Sequence, residues 1–124
     1  MTEGIESFAH DYMAAQKAAW ELHDFDGLRR LEHADVRFSN INGTVFDGRD
    51  AHFAAIEGMK SGFGNAPISQ RWRYLMGDGA LFSLAYEWSI ETPGRPTVMA
   101  GILVGRVEDH LLVEEWGAIY TVER

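Results

Sequence analysis

Cysteine is absent from the 124 residues. That excludes a disulfide framework, a thiol nucleophile and any cysteine metal site. Long apolar runs are missing as well, and the longest fall far short of the roughly 20 residues a membrane helix needs. Basic residues are scarce, with 11 Lys and Arg against 19 Asp and Glu and a net charge of −8. Nucleic-acid binders displace counterions with clustered Lys and Arg. Here the densest basic spots are Arg29-Arg30 and Arg71/Arg73, which solvated faces explain, so neither a nucleic-acid nor a membrane partner is expected. There is no Gly-rich phosphate loop and no workable Ser/His/Asp order. His10, His23, His33 and His110 show no metal-ligand spacing and read as surface residues, so no metal and no cofactor are expected. The opening residues Met1 to Ser7 lack the basic and apolar regions of a secretory signal. A cytoplasmic location is therefore expected.

Hydrophobic residues make up 46% of the chain and aromatics 12%, enough for a packed core and against disorder. The length suits one domain, taken as residues 1–124. Ile5, Phe8, Tyr12, Ala15, Ala19 and Leu22 recur at steps of three and four, which predicts a helix over 3–23. Tyr12, Gln16 and Trp20 lie on an adjoining face of it. Asp24 is the expected N-cap of a short second helix over 25–33. The period then changes to two at Val36, Phe38 and Asn40, and Asn42-Gly43 marks a hairpin whose returning arm is Thr44 to Phe46. A third helix follows Gly48, with His52, Ile56, Met59 and Phe63 on one face. Beyond the breakers Gly62 to Pro67, strands are expected at about 68–76, 80–92, 97–107 and 111–121. Helices followed by a meander make an α+β layout.

That order of elements resembles the nuclear transport factor 2-like superfamily, which includes SnoaL-like polyketide cyclases, ketosteroid isomerases, scytalone dehydratase and limonene epoxide hydrolase. The matching segments are His23-Asp-Phe-Asp-Gly-Leu28, Ala34-Asp-Val-Arg-Phe38, Gly48-Arg-Asp-Ala51 and Leu112-Val-Glu-Glu-Trp116. The resemblance implies a cone-shaped α+β barrel of the cystatin-like type. In it three helices pack on a curved mixed or antiparallel sheet round a small-molecule pocket. It implies that Phe38, Asn40, Ser83, Ala85, Glu87, Ser89, Ala100, Ile102, Val113, Glu115, Gly117 and Ile119 face the pocket. Gln16 and Trp20 would join them from the first helix and His52 from the third. The large residues Phe82, Tyr86, Trp88, Trp116 and Tyr120 would then form an outer face covered by a second subunit, giving a homodimer. Known sites of the superfamily match only in part. Asn40 stands where limonene epoxide hydrolase has its Asn, but Phe38 replaces its Tyr, and no Arg or Asp stands at Glu87, Ser89 or Gly117. The ketosteroid isomerase positions are held by Phe38 or Ser39, Gln16 and Ala100.

A sparse polar set remains. Glu87 and Glu115 are carboxylates among apolar neighbours on strands expected to lie close together. Burial and mutual repulsion raise a carboxyl pKa, which suits a general acid or base. The alternative is that a register shift of one turns both to solvent. His52 interrupts an apolar stripe and could move protons near neutral pH, or could be a satisfied histidine at a helix start. Asn40 serves either to orient a water or a substrate carbonyl, or to cap the Asn42-Gly43 turn. The expected catalytic set is thus His52, Glu87, Glu115 and Asn40, with Tyr12, Gln16, Trp20, Phe38, Ala100, Gly117 and Ile119 binding substrate. The reaction would be cofactor-independent proton transfer (isomerisation, cyclisation, elimination or hydration) on an apolar, aromatic or polyketide-like molecule. The alternative is a non-catalytic binding or assembly domain.

Overall fold

The amphipathic stripe beginning at Ile5 forms helix α1 (Thr2–Leu22), and the computed structural model describes residues 2–122. A short α2 (Asp26–Leu31) runs straight into strand β1 (Glu32–Asn40). Strand β2 (Val45–Asp47) returns from the Asn42-Gly43 turn and leads into α3 (Arg49–Gly62). The meander consists of β3 (Ile68–Asp78), β4 (Leu81–Ile90), β5 (Thr97–Glu108) and β6 (Leu111–Thr121). No described helix is long and apolar enough to cross a membrane.

Two local details differ from expectation. Phe25, not Asp24, is the α2 N-cap, and the Asp24 carboxylate instead accepts from the Asp26 amide. α2 also stops at Leu31, so Glu32 is the first strand residue and turns inward. The sharp entry to α3 is made by Gly48, whose φ of 99° is open to glycine at little cost. Its amide bonds the Val36 carbonyl and its carbonyl accepts from the His52 amide, which fixes the first turn of α3 against β1.

The strands form one six-stranded sheet in the order β2-β1-β6-β5-β4-β3. β1 and β6 pair parallel and all other neighbours pair antiparallel. The edge strands β2 and β3 do not meet, so the sheet is mixed and open, and with three helices packed on it the chain has the expected α+β fold. α1 packs across β3 and β4, while α3 lies over β1 and β2.

The sheet corrects the expected faces of β4 and β5. Phe82, Leu84, Trp88 and Ile90 are buried, so the bulky set of β4 faces the helices. Phe82, Tyr86 and Trp88 therefore belong to the interior and not to an outer subunit contact. Glu87 pairs with Ala100 and lies on the opposite face, as does Ile102, which is exposed. On β5 the inner positions include Gly101 and Gly105, over which the rings of Tyr86 and Phe82 are laid. β6 keeps Glu115, Gly117 and Ile119 inward and leaves Trp116 and Tyr120 exposed. Here the ladder skips Val113, because Arg106 pairs with Glu114 and Val107 with Leu112. That irregularity lets the buried Leu112 share the inner side with Glu115.

Candidate functional site

Between the helices and the inner face of the sheet lies a cavity of about 340 Å³. Its wall is largely aromatic, formed by Trp20, Phe38, Phe46, Trp72, Tyr86 and Trp88. The polar groups reaching it include Gln16, Asn40, Gln70, His52 and Glu115. No Lys or Arg is among the described residues that line it.

Strand pairing places the central groups. Phe38 is paired with Glu115 and Asn40 with Gly117, so both β1 residues look inward beside the carboxylate. The His52 ring stacks on Phe38 with centroids 3.9 Å apart and planes 28° off parallel. Glu115 is held from beneath by a chain of hydrogen bonds along α1. Tyr12 donates to Glu115 Oε1 at 2.9 Å, Gln16 Nε2 donates to the Tyr12 hydroxyl at 2.8 Å, and Trp20 Nε1 donates to Gln16 Oε1 at 2.9 Å. Residues four apart share a helix face, so one turn-by-turn column supplies all three. Glu115 Oε2 makes no hydrogen bond among the described residues and is not sealed from solvent.

Burial pushes the Glu115 carboxyl up to about 7, against the pull of His52 and the Tyr12 hydrogen bond. Glu32 adds to the rise by repulsion. Burial, with Glu115 and Glu32 beside it, also holds the Tyr12 phenol well above its ordinary value, so that it stays a donor.

Beneath His52 lies Glu32, which the sequence did not single out. Its side chain is 0% exposed, and its oxygens stand 3.0 and 2.9 Å from His52 Nδ1. Desolvation raises its carboxyl pKa, with His52 and Arg49 pulling the other way.

Of the expected residues, His52, Glu115, Asn40, Gln16, Trp20, Phe38 and Ile119 come together at the cavity. Tyr12 lies behind this wall, fully buried, and touches the cavity only through Glu115 and Gln16. Gly117 pairs with Asn40 behind the lining. Glu87 and Ala100 are on the other face, and Glu87 bonds Arg73 at 3.2 Å. Among the described residues no cluster of three or more His, Asp or Glu could hold a metal ion.

The model of the SnoaL-like domain matches residues 11–115, from within α1 to the Glu115 carboxylate. The chain belongs to the SnoaL-like domain family. No curated protein matches it. Solved structures share the fold. IdmH of Streptomyces antibioticus, described as a candidate polyketide cyclase, is 20% identical over 89% of this chain and 90% of its own, with a TM-score of 0.74. A candidate ketosteroid isomerase of Kribbella flavida is 14% identical over 99% and 82%, with a TM-score of 0.78. An epoxide hydrolase of M. tuberculosis, described as similar to limonene epoxide hydrolase, is 15% identical over 93% and 84%, with a TM-score of 0.72. At such identities these neighbours speak for the fold, and chemistry must come from the site.

Proposed function

We propose that this SnoaL-like domain is an enzyme that transfers protons on an uncharged, largely apolar small molecule, with Glu115 as the principal base. The observation that carries this reading is the Glu115 carboxyl, raised to about 7 while one oxygen is left free in an aromatic-walled cavity. A base poised near the working pH combines a useful ionised fraction with useful basicity. His52 is the second proton carrier, and Asn40 orients a polar group of the substrate. Aromatic walls suit a flat apolar or polyketide-like skeleton. The lack of a lining Lys or Arg, with two carboxylates close by, disfavours an acid or a phosphate. Isomerisation, cyclisation, elimination and hydration all fit a base paired with an acid and need no cofactor. The partner we propose is a second copy of the chain, bound through the exposed outer face that carries Ile102, Trp116 and Tyr120.

The test is elimination of 5-nitrobenzisoxazole, a flat neutral molecule that opens to a coloured phenolate when a base removes its one ring proton next to nitrogen. Saturable turnover is expected, rising with pH to a plateau with its midpoint near 7, and lost in Glu115→Gln. Equal rates in wild type and Glu115→Gln would remove Glu115 from the chemistry. Binding without turnover would favour a non-catalytic binding domain.

A further inference from the structure

Glu32 is a carboxylate with no route to water. Its two oxygens straddle a single His52 nitrogen, at 3.0 and 2.9 Å. One proton cannot serve both, and Oε2 is left buried without a donor of its own. A buried carboxylate so poorly satisfied is costly, and replacing such ion pairs by apolar residues is often neutral or stabilising. Its geometry does have one chemical consequence. A carboxylate on Nδ1 keeps a proton there, so the proton that comes and goes on His52 is the one on Nε2. His52 lines the cavity and Glu32 does not. His52 Nε2 makes no hydrogen bond among the described residues and is not sealed from solvent. The Phe38 ring, stacked at 3.9 Å, fixes the plane of the imidazole. The charged or titratable groups that act on this pair are Arg49 from α3 and, across the cavity wall, Glu115 from β6 with Tyr12 of α1 behind it.

We propose that Glu32 is the positioning residue of a Glu32–His52 dyad, which fixes the imidazole tautomer and presents Nε2 to the cavity as the proton-transfer partner of Glu115. The inference rests on the acid–base reading above. On an enolisable ketone the step balances as follows. Glu115 Oε2 takes the proton from the carbon beside the carbonyl. The C–H electron pair becomes a carbon–carbon double bond, the carbonyl π pair moves to oxygen, and that oxygen takes the proton from Nε2 of His52 in its imidazolium form, which leaves the neutral Nδ1–H tautomer that Glu32 holds. Where the ketone carries a β,γ double bond, return of the Glu115 proton to the γ carbon of the dienol, and of the oxygen's proton to His52 Nε2, restores both groups. No oxidant, reductant or co-reactant enters.

Nitrogen-15 NMR of the histidine rings reads the tautomer directly, with His52 assigned by its loss in His52→Ala. In wild type at a pH where His52 is neutral, Nδ1 is expected to carry the proton and Nε2 to be bare. Glu32→Leu removes the acceptor and is expected to move His52 toward the Nε2–H form. Its kcat for 5-nitrobenzisoxazole should fall at least about tenfold at unchanged KM, as for other tautomer-fixing carboxylates. Glu32→Gln, whose amide can donate to Nδ1 as well as accept from it, is expected to leave the tautomer unfixed and kcat low, as the amide substitution does in a Ser-His-Asp triad. A neutral wild-type His52 with its proton on Nε2 overturns the proposal, and this result needs no variant to fold. An unchanged tautomer in Glu32→Leu overturns it as well. A tautomer that follows Glu32 in a protein without turnover leaves the positioning role standing and fells the acid–base reading instead.

Discussion

The Tyr12 hydroxyl donates to Glu115 Oε1 at 2.9 Å, across 103 residues of chain, and so ties the first helix to the last strand. The bond favours the ionised carboxylate and thus works against the burial that raises its pKa. Tyr12→Phe removes it. The Glu115 pKa is then expected to climb above about 7, and the midpoint of the elimination profile to move to higher pH. Gln16 Nε2 also loses its acceptor. An unpaired buried donor costs about 1–3 kcal/mol, which urea unfolding would read. A midpoint that stays put would show that the bond does not tune the carboxylate.

Glu115 also sets a pH dependence of stability. Its folded pKa of about 7 lies above the ordinary 4.5, so the folded state holds the extra proton between these values. Stability is therefore full below about 4.5 and declines as pH rises through about 7, by up to roughly 3 kcal/mol. Glu115→Gln keeps an acceptor for Tyr12 and removes the titration. It is expected to be more stable than wild type at pH 8, with the gap closing toward pH 4.5. Urea midpoints at both pH values check this, and a gap independent of pH would contradict it.

Much of the architecture is legible in the residues. The three-and-four spacing from Ile5 to Leu22, the Asn42-Gly43 turn and the breakers after Gly62 fall where the elements begin and end. The two faces of β4 were separable by alternation, but not which one is inner. Both carry apolar residues, and the resemblance pointed to the Ser83–Ser89 set. The cavity is instead walled by the bulky set, which Gly101 and Gly105 on β5 make room for. That pairing depends on cross-strand register, which the sequence of one strand does not contain. Glu32 was hidden for a different reason. It stands among Arg29, Arg30 and His33, charged and polar neighbours that read as a solvated stretch. The early end of α2 turns it inward.

The two glycines should respond differently to an added methyl group. A Cβ at Gly101 would lie 2.5 Å from Tyr86 Cζ and 2.9 Å from the Ala118 carbonyl, so the Tyr86 ring must swing toward the cavity it lines. A Cβ at Gly105 would lie 2.5 Å from Phe82 Cζ and 2.9 Å from a Leu112 methyl, deep in the core. Overpacking costs about 1–3 kcal/mol, and both Gly101→Ala and Gly105→Ala are expected to lose stability in that range. Only Gly101→Ala is expected to raise KM for 5-nitrobenzisoxazole as well. Equal KM values in the two variants would mean that the Tyr86 ring does not bound the occupied part of the cavity.

The outer face of the sheet is the last feature with a consequence that can be measured. Met76, Ser83, Val104 and Trp116 are successive partners across β3 to β6, and Tyr74, Ala85, Ile102 and Ala118 form the next row. Tyr74, Met76, Ile102, Trp116 and Tyr120 are all exposed, which makes one apolar patch on a single face. It is bordered by the ion pairs Arg73–Glu87 and Arg106–Glu114, which offer both signs of charge. A two-fold contact sets a patch against its own copy, so an apolar centre with mixed charges at its border is self-complementary. Sedimentation at micromolar concentration is expected to give twice the mass of one chain. Ile102→Glu puts a carboxylate at the centre of the patch and is expected to give the monomer. Ile102 points away from the cavity, so turnover per chain should change little if each cavity is complete by itself. A wild-type monomer would refute the contact. A dimer that survives Ile102→Glu would move it to another surface.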